Sequence, residues 1–155
     1  MTEQQQDESN MPTFRMQKMY IKDLSFESPN APKIFLTQHQ EPKVDFNLQL
    51  HTKNLDEQHW EVTIAITAKI IASGEEETVL FIAELEHAAI FLLNNIPKEH
   101  LERVLAVDCP LMLFPYTRQV VSQISVDGGF VPFLMEPINF IALYENAQKQ
   151  KENKQ

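Results

Sequence analysis

Alternating apolar and polar residues dominate the first two thirds of the chain and predict four β-strands. Successive side chains of a strand point to opposite faces, so a period of two indicates a strand with one face on a core. The apolar positions of the first three strands are, in order, Phe14, Met16, Tyr20, Leu24 and Phe26; Val44, Phe46, Leu48 and Leu50; and Trp60, Val62, Ile64, Ile66 and Ile70. Short connections, including a predicted hairpin turn at residues 73–76, favour an antiparallel sheet.

The fourth predicted strand, about residues 78–91, carries apolar residues on both faces. One parity contains Val79, Phe81, Ala83, Leu85 and His87, and the other contains Leu80, Ile82, Glu84 and Glu86. A sheet that is apolar on both faces cannot leave one of them in water. The few helices that this chain can form would cover about one face. The pattern therefore predicts self-association.

After Pro97 the apolar period changes to 3.6 residues, which predicts helices. We expect one helix from Pro97, a second after Cys109 and Pro110 that Gly128 ends, and a last helix from Pro137. The predicted fold class is α+β: a four-stranded antiparallel sheet followed by helices on one face. A single domain at residues 13–147 would lie between a disordered tail at 1–12 and a flexible tail at 148–155.

Composition narrows the possible functions. The chain has 13 basic and 22 acidic residues, and its net charge of −9 argues against binding to nucleic acid. Three glycines in 155 residues leave no phosphate-binding loop, so we expect no nucleotide cofactor. The N-terminal residues do not form a secretory signal, no apolar run is long enough to enter a membrane, and one cysteine fits a reducing compartment. These features predict a cytoplasmic protein.

Residues suited to catalysis or metal binding are sparse. Cys109 is a conceivable nucleophile, but a thiol beside Pro110 in an apolar context is usually a small buried side chain. The five histidines show no spacing typical of a metal site. We therefore predict no enzyme activity, no catalytic residue and no metal.

Two groups of residues could instead form binding surfaces. Asp23 and Glu27 share a parity on the first strand, as Ile82 and Glu84 do on the fourth, which is typical either of a docking face for a cationic partner or of a solvated sheet face. Apolar residues of a proline-rich loop and of the last helix could line a peptide groove or pack as ordinary core. This second group contains Ile34, Phe35, Leu36, Phe140, Leu143 and Tyr144, and the segment GGFVPFLM adds Phe130, Phe133 and Leu134.

Three segments closely resemble corresponding parts of the SecB chaperone family. They read YIKDLSFESPNAP at 20–32, CPLMLFPYTRQVVSQ at 109–123 and GGFVPFLMEPINFIALY at 128–144, and the resemblance spans about residues 13–146. It implies an ATP-independent holdase that assembles as a homotetramer, a dimer of dimers, keeps unfolded preproteins export-competent and delivers them to the SecA motor.

The resemblance also implies roles for residues. It assigns SecA docking to Asp23, Glu27, Ile82 and Glu84; the client groove to Ile34, Phe35, Leu36, Phe140, Leu143 and Tyr144; and dimer contacts and client handling to Ala83, Leu85 and His87. The loop departs from well-known members, which carry a tryptophan where this chain reads TQHQEP at 37–42. The tail departs too, because its three lysines (Lys149, Lys151 and Lys154) replace an acidic or glycine-rich extension.

Two other functions stay open on the sequence. One is a SecB-like chaperone for a dedicated client such as a toxin–antitoxin pair. The other is a protein that binds a small apolar ligand in the same groove.

Overall fold

One four-stranded sheet and three helices make up the fold. The computed structural model describes residues 10–37, 41–74 and 77–153. The elements are β1 (Thr13–Glu27), a 3-10 turn (Lys33–Phe35), β2 (Pro42–Asn54), β3 (His59–Ala72), β4 (Thr78–Asn94), α1 (Lys98–Arg103), α2 (Cys109–Asp127) and α3 (Phe140–Asn153). The predicted α+β order of strands and then helices is confirmed.

Parts of several predictions lie outside the described residues. These parts are residues 1–9 of the predicted N-terminal tail, residues 38–40 of the loop that lacks the family's tryptophan, residues 75–76 of the hairpin turn, and residues 154–155 of the predicted C-terminal tail.

The strands pair in the order β1-β4-β3-β2, antiparallel throughout. Strands β1 and β2 are therefore the two edges, and residues 28–41, here called the crossover loop, connect one edge to the other. Strand β4 lies between β1 and β3, and it extends to Asn94, three residues past the predicted end.

Two register shifts in β1 correct the predicted facing of Tyr20. The pairing with β4 shifts between Met16 and Lys18 and again between Ile21 and Asp23. An extra residue in one strand moves the following side chains to the other face. Tyr20 therefore lies on the face opposite Phe14, and the second shift returns Leu24 to the side that the sequence pattern predicted.

The first two predicted helices are one continuous helical segment from Lys98 to Asp127. A single π-helical turn (Val104–Asp108) joins α1 to α2, and the Cys109 N–H bonds to the Val104 carbonyl. Pro110 has no N–H to donate, so the backbone widens at this point rather than breaking.

Helix α3 begins later and ends later than the sequence predicts. It starts at Phe140 because Asn139 caps it, with Asn139 Oδ1 accepting the Ala142 N–H at 3.0 Å. It continues to Asn153, so residues 148–153 are helical rather than part of a flexible tail. Gln148 contributes to this, since its amide donates to Glu102 of α1 at 2.9 Å.

Helix α2 packs across the inner strands and forms the centre of the core. Leu113 and Val121 of α2 are buried against the sheet, together with Val62 and Ile64 of β3 and Phe91 of β4. A second, smaller apolar cluster lies under the crossover loop, around Ile34 and Phe81. Each fully buried large apolar side chain stabilises the fold by about 1.5–3 kcal/mol, so these contacts fix where α2 lies.

A histidine is buried in the layer between sheet and helix. His87 of β4 is 2% exposed, and its Nδ1 lies 2.7 Å from the Thr117 hydroxyl of α2. The Thr117 hydroxyl also lies 3.3 Å from the Leu113 carbonyl. Burial lowers the pKa of His87, because the charged imidazolium loses its hydration there.

The buried imidazole predicts a pH-dependent stability. The unfolded chain binds a proton at His87 more readily than the folded chain, so the free energy of unfolding should fall as the pH drops below about 6.5. His87→Gln, which keeps a hydrogen-bonding side chain without this titration, should lose less stability between pH of about 7.5 and 5.5 in urea denaturation. His100→Gln, at an exposed histidine, is the matched control and should behave as wild type. Equal losses for wild type and His87→Gln would contradict the prediction.

Candidate functional site

The acidic residues predicted for docking all lie on one face of the sheet. Across the β1–β4 ladder Asp23 is opposite Glu86, and Glu27 is opposite Ile82. Residues directly opposite in an antiparallel pair share a face, and alternate residues of one strand do so as well. Glu84 therefore lies on the same face. The helices cover the other face, as the contact between His87 and Thr117 shows.

We call this set, Asp23, Glu27, Ile82, Glu84 and Glu86, the acidic face. The four carboxylates are exposed, and Ile82 is half-buried between them. An open depression of about 200 Å³ lies beside three of the carboxylates, and its described lining includes no lysine or arginine. Like charges directly opposite in a ladder, such as Asp23 and Glu86, destabilise a sheet. The acidic face therefore holds like charges at a cost in stability of the fold.

A neutralised cluster borders the acidic face. Tyr20 and Lys22 of β1 reach across β4 to Glu61 of β3, where Tyr20 donates a hydrogen bond and Lys22 Nζ lies 3.0 Å from Glu61 Oε1. Burial and this hydrogen bond raise the pKa of Tyr20 to about 12. The hydrogen bond from Tyr20 and the nearby Lys22 lower the pKa of Glu61. The charge of Glu61 is thus paired within the chain. Among the described residues no ion pair reaches the carboxylates of the acidic face, although Lys69 of β3 lies opposite Ile82 on the same face.

The side chains of β4 that were predicted to contact another protomer or a client lie on the face of the sheet opposite the acidic face. Ala83, Leu85 and His87 are only 2%, 3% and 2% exposed, because α2 of the same protomer covers their side of the strand. In this protomer the three side chains lie under α2, and their contact with another protomer or a client stays a prediction. The sequence parity was correct, but it could not tell which layer would cover that face.

The predicted client groove separates into two groups of residues. In the crossover loop Ile34 is buried, whereas Phe35 is half exposed and Leu36 is 86% exposed. The Phe35 ring packs on Phe130, which follows α2, with the ring centroids 5.2 Å apart.

The residues of the predicted groove that belong to α3 are separate from those of the crossover loop. Phe140 is 1% exposed and meets the Phe114 ring of α2 edge-on, at 5.7 Å, so it belongs to the core. Leu143 is exposed and Tyr144 is half-buried. The structure does not support Ile34 and Phe140 as groove-lining residues, since both are needed for packing.

An apolar groove contains Phe133 and Leu134, which the sequence suggested as groove residues, and a β2 side that it did not assign. It runs between edge strand β2 and the extended segment that joins α2 to α3, with a volume of about 440 Å³. Its lining, which defines the apolar groove below, is Val44, Phe46, Phe133, Leu134, Met135, Glu136, Pro137 and Ile138. The alternation of β2 and the apolar run at 130–138 were the available signals, but no pattern in the sequence indicated that they meet.

Comparison with known proteins identifies the family. The family model described as preprotein translocase subunit SecB matches residues 6–151. The protein-export protein SecB of Desulfotalea psychrophila is 60% identical over 152 residues, which cover 98% of this chain and 97% of the relative. The chain belongs to the SecB family. A second SecB, from Magnetococcus marinus, is 45% identical over 96% of this chain and 92% of its own length.

A solved structure supports the fold of this SecB-family chain. The SecB-like chaperone of Mycobacterium tuberculosis, solved with a peptide from an antitoxin, superposes with a TM-score of 0.65 over 81% of this chain and 91% of its own. At 18% identity this likeness concerns the fold alone.

Cys109, the one cysteine of this SecB-family chain, is buried. Burial, and to a smaller degree the charge of Asp108, raise the pKa of the Cys109 thiol well above its usual range. A buried thiol that stays protonated is a poor nucleophile. Among residues 10–37, 41–74 and 77–153, no three His, Cys, Asp or Glu side chains are grouped to hold a metal ion. In the same ranges no helix is long and apolar enough to cross a membrane.

Proposed function

We propose that this chain is an ATP-independent holdase of the export pathway: it binds unfolded preproteins in the cytoplasm and delivers them to the SecA motor. The observation that carries the proposal is the presence of two separate surfaces in a SecB-family protomer, an exposed apolar groove and an exposed acidic face. No covalent step is needed, since capture and delivery are both binding events.

The apolar groove fits an unfolded polypeptide. Unfolded chains expose apolar side chains that folded proteins hide, and these side chains bind apolar surface. Val44 and Phe46, on the helix side of edge strand β2, are 44% and 38% exposed, and Leu134 across the groove is 72% exposed. An edge strand also presents unpaired backbone groups, so an extended client segment can bond to β2 while its side chains enter the groove.

Selectivity for unfolded chains follows from this mode of binding. The groove contacts side chains and backbone that a native protein has already buried or paired. Proteins that fold quickly escape capture, and slow-folding precursors remain bound.

The acidic face fits a cationic docking module of SecA. Its unpaired carboxylates attract a basic partner and orient it, and half-buried Ile82 supplies an apolar centre. The acidic face and the groove-lining side chains lie on opposite sides of the sheet. A client and the motor can therefore occupy one protomer together, as delivery requires.

We also propose a homotetramer built as a dimer of dimers. Apolar side chains stay exposed on the helix side of edge strand β1, at Met19 and Ile21, and on the outer side of α2, at Leu111 and Met112. Two different self-complementary surfaces on one protomer generate four copies. Several grooves on one particle then hold different segments of a long client, so that weak contacts sum by avidity.

The relatives favour general export over a dedicated client. The antitoxin-bound neighbour shares the fold at 18% identity, whereas a relative named for protein export is 60% identical over nearly the whole chain. A small-ligand function has no support from the groove, which is an open trough rather than an enclosed cavity.

The two surfaces should be separable by mutation. Asp23→Lys with Glu84→Lys should weaken SecA binding about tenfold or more, because it reverses two charges at the centre of the docking face, and should leave binding of an unfolded precursor unchanged. Phe46→Ser with Leu134→Ser should weaken binding of the unfolded precursor and leave SecA binding unchanged, since it removes apolar area from the groove. Isothermal titration with SecA and with a urea-unfolded precursor measures both affinities.

The control for the charge reversal is Glu57→Lys with Glu99→Lys, which makes the same change of net charge at exposed positions outside the acidic face. It should bind SecA as wild type does. Loss of both affinities in either experimental variant would mean that the two surfaces are not separate.

The assembly makes a further prediction. Wild type should have the mass of four 18.0-kDa chains in multi-angle light scattering. Met112→Glu should give the mass of two chains, because a charge buried in an apolar interface is costly. Val131→Glu, at an exposed apolar residue away from both proposed interfaces, should stay tetrameric. A monomeric wild type, or a tetrameric Met112→Glu, would refute the assignment of these interfaces.

A further inference from the structure

Four phenylalanine rings connect the crossover loop to the sheet and to the end of α2. We call Phe26, Phe35, Phe81 and Phe130 the aromatic cluster. Phe26 of β1 stacks on Phe81 of β4 at 5.3 Å between centroids, and Phe130 contacts Phe81 at 4.8 Å and Phe35 at 5.2 Å. Aromatic pairs at these separations are favourable beyond the area that they bury.

The outer end of the aromatic cluster is an exposed apolar ridge. Phe35 is 49% exposed, and the residues that follow the two outer rings, Leu36 and Val131, are 86% and 83% exposed. Large apolar side chains rarely stay this exposed together without a binding role. The packing of Phe35 on Phe130 ties this ridge to the end of α2.

Two glycines determine where Phe130 lies. Helix α2 ends with the Phe130 N–H bonded to the Ser125 carbonyl and the Gly129 N–H bonded to the Val126 carbonyl, both at 3.0 Å. This pair of bonds is the Schellman ending of a helix, and it needs a left-handed residue just past the helix. Gly129 supplies it with φ +95°.

The same two glycines also provide the space that the rings occupy. A Cβ at Gly128 would lie 2.2 Å from Cζ and 2.5 Å from Cε1 of Phe26. A Cβ at Gly129 would lie 3.1 Å from Cζ of Phe35. Gly128 has an ordinary φ of −78°, so the requirement at this position is space rather than backbone conformation. The Phe26 ring also contacts Phe81 and Phe130, so a ring that moves away from a Cβ at Gly128 changes these contacts.

We propose that Gly128 and Gly129 are positioning residues for client capture: they seat the aromatic cluster and thereby hold the Phe35–Leu36 ridge in its binding position. The inference rests on the proposed function, in which the chain captures unfolded clients, and it adds the exposed ridge of the crossover loop to the surface that contacts them. It adds that capture depends on two residues that need not touch a client. Their effect reaches the ridge through Phe26 and Phe130, rather than through the apolar groove.

Gly128→Ala tests the inference directly. Its Cβ collides with Phe26, so the ridge should shift and the affinity for reduced, carboxymethylated α-lactalbumin, a permanently unfolded probe, should fall about fivefold. Binding to SecA should stay as in wild type. Trypsin should cleave faster after Lys33, the exposed lysine of the 3-10 turn next to the ridge.

A second-site variant separates positioning from general damage. Phe26→Leu removes the ring atoms that the new Cβ would meet, so Phe26→Leu with Gly128→Ala should bind the probe as Phe26→Leu alone does.

Leu105→Ala is the matched control, because it destabilises the other apolar cluster and leaves the ridge in place. It should bind the probe as wild type does. If Gly128→Ala does not fold, Phe130→Leu, which removes the ring contacts and keeps an apolar side chain, should give the same loss of affinity.

Wild-type affinity in Gly128→Ala, or no rescue in the double variant, would overturn the inference. So would a loss of affinity in Leu105→Ala as large as that in Gly128→Ala. Failure of the proposed function has a different signature: wild type would not bind the probe, whereas trypsin would still cleave Gly128→Ala faster after Lys33. That result would leave Gly128 as a positioning residue of the loop and remove its role in capture.

Discussion

The packing of helix α2 across one face of the sheet is the contact on which the rest of the structure depends. Leu113 and Val121 of α2 lie against buried residues of β3 and β4, in the largest apolar cluster. The helix covers the middle of the sheet, and both edge strands extend beyond it. The position of α2 therefore divides the molecule into a covered layer, an open sheet face and two partly covered edges.

Each proposed binding surface is a consequence of that division. The open face needs no apolar packing, so it can carry Asp23 opposite Glu86 at a cost in stability. At edge strand β2 the helix layer ends, and Val44 and Phe46 stay half exposed along the groove. At the end of α2 the Gly128–Gly129 turn returns the chain to the sheet and seats the aromatic cluster. The residues proposed for binding lie where the core packing stops.

The sequence predicted the strands, their antiparallel pairing and the common face of the acidic residues, because a period of two is a direct consequence of strand geometry. It could not place Tyr20, since the register shifts in β1 depend on pairing with β4 rather than on local residue type. It also predicted that Phe140 and Phe35 share a groove. In the structure Phe140 is part of the core instead. Asn139 caps the helix that begins at Phe140, and the Phe140 ring contacts Phe114. Contacts between distant segments decided both outcomes.

The central claim is that the protein holds unfolded precursors without nucleotide. Light scattering of a purified, urea-unfolded precursor diluted into buffer, with and without this protein and with no ATP present, tests it most directly. The structure and family predict that scattering is suppressed in proportion to the protein added, and that the precursor stays soluble and sensitive to protease. Unchanged aggregation in the presence of excess protein would contradict the account.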